Sequence, residues 1–409
     1  MKFLATSACI GVVLSALSAS AAEDIKGAFA EGTLKGEIRT FYYSRDFEEK
    51  TPDRADLALG TLMYYRTAPL FGLTAGLGTA TASDIGSDDD KAVYGLLARD
   101  ASGDHDSFAR LQEYFLQGSW FNTTLKLGAQ EIESPFLNGH DIRLLPKTYR
   151  GLTVENTSVE NLTIKAYCLT DFMGWTDDDF VRISSVAKGA DDEALLAGSV
   201  RYKVPLNTLL LDSELWDYRM EDVFNSTYLK ATLSKKFETF SLSFTPSFLK
   251  QDSIGDDLGG QFDTLQYGFN TSLKIAGFDV TAFYAKTGDD DLFVPWGDGK
   301  VLIQQINASG RADENAYALR LGYDFGTIGA TGLSAYVFHG LYDTPDSGTH
   351  AASDINETDL SAQYAFSGSL DGLSLRVRYA LVDYDSDTAD DFGDFRIYLK
   401  YTFSLGGKS

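Results

Sequence analysis

Phe395-Arg396-Ile397-Tyr398-Leu399-Lys400-Tyr401-Thr402-Phe403 sets Phe, Ile, Leu, Tyr and Phe at its odd positions and Arg, Tyr, Lys and Thr at its even ones. A strand sends alternate side chains to opposite faces, so this segment has one apolar face and one wet, basic face. In a soluble sandwich those faces meet core and solvent. In a membrane-spanning barrel they meet lipid and lumen.

Similar segments recur along the whole chain. The first half offers Leu34–Arg45, Ala55–Thr67, Gly72–Ala82, Phe108–Gly118, Thr123–Ile132, Gly151–Thr157 and Leu162–Thr170. The second half offers Ala194–Val204, Thr208–Tyr218, Ser226–Lys235, Thr239–Lys250, Thr264–Lys274 and Phe278–Lys286. Asn315–Phe325, Gly332–Tyr342, Asn356–Phe366, Leu373–Asp383 and the final strand complete the set. That makes about eighteen strands, an even number, as bacterial barrels have. Short connections at Pro69, Pro205-Leu206-Asn207, Lys236-Phe237-Glu238 and Ala276-Gly277 alternate with long acidic ones. The long set is Ser83–Ser107, Asp171–Glu193, Lys286–Glu314, Asp343–Ile355 and Tyr384–Asp394. Short turns at one end and long loops at the other mark a transmembrane antiparallel β-barrel, with periplasmic turns and extracellular loops. A propeller would show a blade repeat, and none is visible.

Composition agrees. Eight prolines stand against 38 glycines, with 22 Tyr and 27 Phe for aromatic girdles. Lys2, the apolar run Phe3–Leu17 and the small residues Ser18-Ala19-Ser20-Ala21-Ala22 read as a signal peptide over 1–22, leaving 23–409 as one barrel domain. The mature chain then keeps one cysteine, Cys168, so no internal disulfide forms. Cys168 alternates with Ile164 and Ala166 and is expected to face lipid. The net charge of −24 argues against nucleic acid as a partner.

Turning the last strand over would set Arg396 and Lys400 in hydrocarbon, at roughly 2–4 kcal/mol each near the midplane. Bases therefore line the lumen. Lys35, Arg39, Arg320, Arg376, Arg378, Arg396 and Lys400 lie on the final strands and the first, which must pair to close the barrel. They read either as ordinary lumen polarity or as a ladder for anions, to which arginine brings a fork matched to carboxylate. Charge in a wet pore is screened within about 8 Å, so selectivity needs a constriction. The loop Glu131–Arg150, less acidic and more apolar than the others, is expected to fold inward and supply it. Within it Pro135 and Pro146 fix backbone angles. Asp141 and Arg143 either touch solute or hold the loop's shape.

Gly128-Ala129-Gln130, Pro135-Phe136 and Asp141-Ile142-Arg143-Leu144-Leu145-Pro146-Lys147-Thr148-Tyr149-Arg150-Gly151 resemble the third-loop signature of OprD-type outer-membrane porins, the carboxylate channels. Gly36 to Asp46 is similar to that family's first strand, and Leu370 to Tyr379 to its penultimate hairpin. The resemblance implies an eighteen-stranded barrel, a monomer or weak homo-oligomer. It also implies a pore narrowed by the third and seventh loops, with Tyr149 and Arg150 in the constriction. Lys286–Glu314 would be the seventh loop. Its Asp289, Asp290 and Asp291 either face the ladder or are solvated loop acids. Where Ala129 stands the family commonly has a base, so substrate preference is expected to differ.

The expected function is passive diffusion of small hydrophilic, carboxylate-bearing solutes through the outer membrane of a Gram-negative bacterium, among its lipids and lipopolysaccharide. An adhesin with a plugged lumen is the alternative. Asp88-Asp89-Asp90 and Asp177-Asp178-Asp179 offer oxygens to divalent cations but lack the spacing of a defined calcium loop. An enzyme is disfavoured. His105, His140, His339 and His350 match neither a nucleophile elbow nor a zinc spacing, and no cofactor or metal is implied.

Overall fold

The computed structural model describes residues 21–48, 51–190, 192–386 and 389–406; the expected signal peptide lies outside them up to residue 20. Eighteen long strands form the barrel. They are β1 (Thr33–Phe47), β2 (Arg54–Arg66), β3 (Leu73–Asp84), β4 (Phe108–Trp120), β5 (Thr123–Gln130) and β6 (Thr148–Asn156). Next come β7 (Leu162–Met173), β8 (Leu195–Leu206), β9 (Leu209–Met220), β10 (Phe224–Lys236), β11 (Phe240–Ser253) and β12 (Asp263–Ile275). The last six are β13 (Phe278–Thr287), β14 (Asn315–Asp324), β15 (Leu333–Asp343), β16 (Ile355–Ala365), β17 (Leu373–Tyr384) and β18 (Phe392–Gly406).

Each strand pairs antiparallel with its sequence neighbours, and β1 closes on β18 from Thr33 opposite Gly406 to Phe47 opposite Phe392. Closure leaves no unpaired edge, the condition for a sheet to cross hydrocarbon. The face assignment holds on β18: Arg396 and Tyr398 are buried, whereas Leu399 and Tyr401 are exposed. Cys168 lies opposite Leu152 and Leu196, all three exposed on the apolar side.

Two boundaries differ from expectation. Pro205 and Leu206 stay in β8, paired with Leu210 and Leu209, and the turn is Asn207-Thr208. Asn207 takes φ +57°, a left-handed conformation that asparagine tolerates. Thr148, Tyr149 and Arg150 belong to β6, with Tyr149 opposite Gln130 and Arg150 opposite Ala129, so the third loop ends at Lys147.

The upper lumen is filled by loops rather than water alone. Ile132, Phe136 and Leu137 of the third loop and Leu292 and Trp296 of the seventh pack on Tyr167, Trp216, Tyr218 and Tyr228 of the wall. Leu144 and Leu145 pack on Phe41, Ala58 and Leu62. Gly60 makes room for this, since a Cβ there would lie 2.9 Å from Leu144 Cγ. Burial of these side chains is what turns a polar-flanked loop inward.

Candidate functional site: the loop-narrowed lumen

The seven bases do share one wall. Arg396 lies across from Arg378, Arg376 across from Tyr398, and Lys400 across from Arg39. Lys35 is opposite Ser404, and the Arg320 guanidinium rests 4.4 Å over the ring of Tyr336 on β15. The column therefore runs from β14 round to β1.

It divides into two kinds of base. Arg39 forks onto Asp141 of the third loop at 2.5 and 3.0 Å, bonds Glu37, and donates to the Leu144 carbonyl at 2.9 Å. Lys400 stands 2.9 Å from Glu37 and 3.7 Å from Asp141. Arg396 meets Asp394 at 2.5 Å and lies 4.8 Å over the Tyr43 ring. These three are compensated. Among the described residues, no carboxylate lies at ion-pair distance from Lys35, Arg320, Arg376 or Arg378, although Asp359 acts on Arg378 through space. Arg376 donates only to Ser361 and Tyr336 hydroxyls, each at 3.4 Å, and the buried Arg378 Nε has no hydrogen-bond partner.

The third loop is stapled on several sides. Tyr43 donates to the Ile142 carbonyl. Arg143 donates from Nε to the Tyr94 carbonyl at 3.0 Å and lies 5.1 Å over Trp175, so it holds the loop's shape. Arg110, unremarked in the sequence, donates to the carbonyls of Pro146 (2.7 Å) and Gly174 (2.6 Å), tying the third loop to the fourth. Lys147 Nζ and the Tyr149 hydroxyl donate to the Trp296 carbonyl at 3.0 and 3.2 Å, joining the third and seventh loops. Pro135 opens the turn before Phe136, within the segment that reaches the wall.

Two expectations find other places. Arg150 pairs with Asp171 at 2.8 Å and donates to the Tyr114 hydroxyl at 3.1 Å. Arg150 stands two residues before the exposed Leu152 on β6, in unbroken register with β5, so its side chain leaves on the outer side of the barrel, where Tyr114 lies opposite the exposed Leu77. Asp289 is exposed; Asp290 accepts from the Asp263 amide (2.9 Å) and Asp291 from the Ala312 amide (2.7 Å), closing the base of the seventh loop away from the ladder. Backbone donors on their own rim capture Asp290 and Asp291 first.

The acids that matter in the lumen are others. Glu357 accepts from the Ile306 and Asn307 amides, both at 2.8 Å, and Asp359 accepts from the Gln305 amide at 3.0 Å. Gln305 Nε2 then donates to Asp394 at 2.8 Å, so the seventh loop is held against β16 and β18. Alternation alone puts Glu37, Glu357, Asp359 and Asp394 on the lumen faces of their strands, a signal that tracking only bases missed.

Beneath the third loop a cavity of about 300 Å³ is lined by Lys35, Arg39 and Lys400 together with Glu37, Glu131 and Asp141. Burial, then the neighbouring Glu113, raises the Glu131 carboxyl to about 7, and Tyr64 donates to it. Burial opposes ionisation of Asp141, but Arg39 and Lys400 outweigh it and hold that carboxyl below the usual range. His140 is pushed down to about 4 by burial and by Lys147, Arg143 and Lys300. Burial brings Lys147 down to about 8.

A closed eighteen-stranded barrel with an apolar belt, a charged lumen and two inward loops defines a diffusion channel of the outer-membrane type. The chain belongs to the OprD family of outer-membrane porins, whose profile matches residues 26–405. Porin D of Pseudomonas aeruginosa is 23% identical, over 93% of each chain. In fold the chain is similar to P. aeruginosa OccK9 (OpdG), with TM-score 0.84 and 24% identity, covering 93% of this chain and 100% of that one. P. aeruginosa OpdK, solved with vanillate, gives 0.83 at 20% identity, and Acinetobacter baumannii OccAB2 gives 0.82 at 23%, with the same coverage.

Proposed function

We propose that this porin favours small carboxylate-bearing solutes, and that Arg320, Arg376 and Arg378 are the part of the ladder that handles them. The observation carrying this reading is the lack of a carboxylate partner for these guanidiniums among the described residues, while Arg39, Arg396 and Lys400 are already paired. A guanidinium already paired to a buried carboxylate has little field left for a passing anion, whereas an uncompensated one offers its two-point fork. Tyr336 beneath Arg320 and beside Arg376 adds an aromatic face for a planar acid. The vanillate of OpdK is a solute of this chemistry.

Planar-bilayer recordings across a salt gradient test the reading. The wild-type channel is expected to pass anions in preference to cations, and Arg376→Glu with Arg378→Glu to reverse that order. Liposome swelling should be faster with benzoate-like acids than with sugars of equal size. Equal permeabilities in wild type and in the charge-reversed variant would remove the carboxylate assignment and leave a general porin.

A further inference from the structure

The periplasmic rim from β2 to β5 carries exposed apolar side chains that lie beyond the ends of the strands. Helix α1 (Ile25–Ala30) begins at Asp24, which accepts from the Gly27 amide at 2.6 Å. It is fastened to the first short turn: the Ala68 amide donates to the Ala28 carbonyl (2.8 Å), and the Ala22 amide to the Pro69 carbonyl (2.9 Å). Tyr65, which alternates on β2 with the exposed, lipid-facing Met63, donates to the Phe29 carbonyl. That bond sets α1 at the outer perimeter of the barrel, clear of the lumen. Ile25 and Phe29, four residues apart and so on one helix face, remain 68% and 60% exposed.

Beside the helix stand two turn tips. Phe71 (φ +53°) and Phe121 (φ +51°) are 82% and 93% exposed. A left-handed backbone disfavours bulky L side chains, and such turn positions ordinarily take Gly, Asn or Asp. Turn geometry therefore does not explain the aromatics. Trp120 Nε1 donates to the Phe71 carbonyl at 2.9 Å, joining the two tips. The patch continues upward without a break into Leu73, Leu77, Leu116, Leu125 and Leu127, the exposed apolar side of β3 to β5. Lys26 follows Ile25 by about 100° round the helix, so it stands exposed off the apolar face of α1.

We propose that α1 and the Phe71 and Phe121 tips form an anchor seated in the phospholipid headgroup layer of the inner leaflet. Its occupant is lipid because the patch is continuous with the lipid-facing belt. The short helix contributes only one apolar face, so the aromatic tips carry most of the insertion. The anchor pins the barrel on the side whose strands β1, β2, β4 and β5 brace the third loop.

The test uses the folded mature chain in nanodiscs of phosphatidylethanolamine and phosphatidylglycerol, with Cys168→Ser removing the lipid-facing thiol. Single cysteines replace Phe29, Phe71 or Phe121, with Lys26→Cys as the control, each carrying an environment-sensitive fluorophore. Heat-modifiable gel mobility confirms a folded barrel for every variant. Lipid-borne nitroxide should quench the label at Phe29, Phe71 and Phe121 several-fold more than at Lys26, and aqueous iodide the reverse. Iodide quenching at those positions equal to that at Lys26 would overturn the anchor and leave the patch facing the periplasm for a protein or cell-wall partner. The Phe121 variant lies outside α1, so a failure of the helix to form does not silence the test.

Discussion

The two flanks of the basic wall use the same residue types for opposite ends. On β1 and β18, Arg39, Arg396 and Lys400 are consumed by Glu37, Asp141 and Asp394 and serve as bracing for the third loop. On β14 and β17, Arg320, Arg376 and Arg378 meet hydroxyls and an aromatic ring but no carboxylate at ion-pair distance among the described residues. A charge in the lumen is therefore functional or structural according to whether an acid has reached it first. Counting bases does not tell the two apart.

The sharpest way to break the comparison is Arg39→Met. It removes the fork between Asp141 and Glu37 and leaves both acids to Lys400 alone, so the loss is expected to stay below the roughly 3–5 kcal/mol of a fully stranded buried charge. Thermal melting should show a destabilised barrel, and single-channel traces a larger, noisier current as the third loop loosens. Unchanged traces would mean that the apolar seat of Leu144 and Leu145 holds the loop unaided.

Next in size is Gly299→Val. A Cβ at Gly299 falls 2.5 Å from the Phe136 ring, and one at Gly297 falls 2.5 Å from the Phe136 carbonyl oxygen. Phe136 is itself held by edge contacts to Tyr218 (5.1 Å) and Tyr228 (5.7 Å), so the seventh loop must yield toward the uncompensated wall. Overpacking of this kind costs about 1–3 kcal/mol. Conductance should fall, and Phe136→Leu in the same chain should restore much of it. A lower conductance that the second substitution leaves untouched would disconnect the seam from pore width.

Arg378→Gln against Arg396→Gln separates the two flanks directly. The first should lower the anion-to-cation permeability ratio with little change in melting. The second should destabilise more and shift selectivity less, because Asp394 keeps Arg45 at 2.8 Å. Equal selectivity changes in both would erase the distinction drawn between them.

The smallest effect concerns pH. Glu131 has its folded pKa raised from 4.5 to about 7, so it is neutral in acid and ionised above neutrality. Its contribution to stability is complete below about 4.5 and is lost as pH climbs through about 7. Raising the pH from 6 to 8 adds a negative charge to the cavity under the third loop and should reduce anion preference modestly. Glu131→Gln should flatten that step; a step that persists belongs to another group.

Much of this was legible early. The period-two pattern around Phe395–Phe403 and its counterparts placed all eighteen strands to within a few residues, because a barrel wall wets one face and greases the other residue by residue. The inward third loop could also be read, from its apolar content. The place of Arg150 was missed because it was counted with the third loop; as a residue of β6 it shares the parity of the outward Leu152. The places of Asp290 and Asp291 could not be read, since backbone amides of a neighbouring strand and of their own loop engage them.

The amino-acid sequence by itself determined the closed barrel and its lipid and lumen faces, because alternation is a local property of each strand, and the third-loop motif at 141–151 carried the resemblance to the family. Only the tertiary structure decided which bases are free. Arg39 and Asp141 are 102 positions apart and meet because a loop folds across the lumen. Charge neutralisation acts over a few ångströms of space, whatever the distance along the chain.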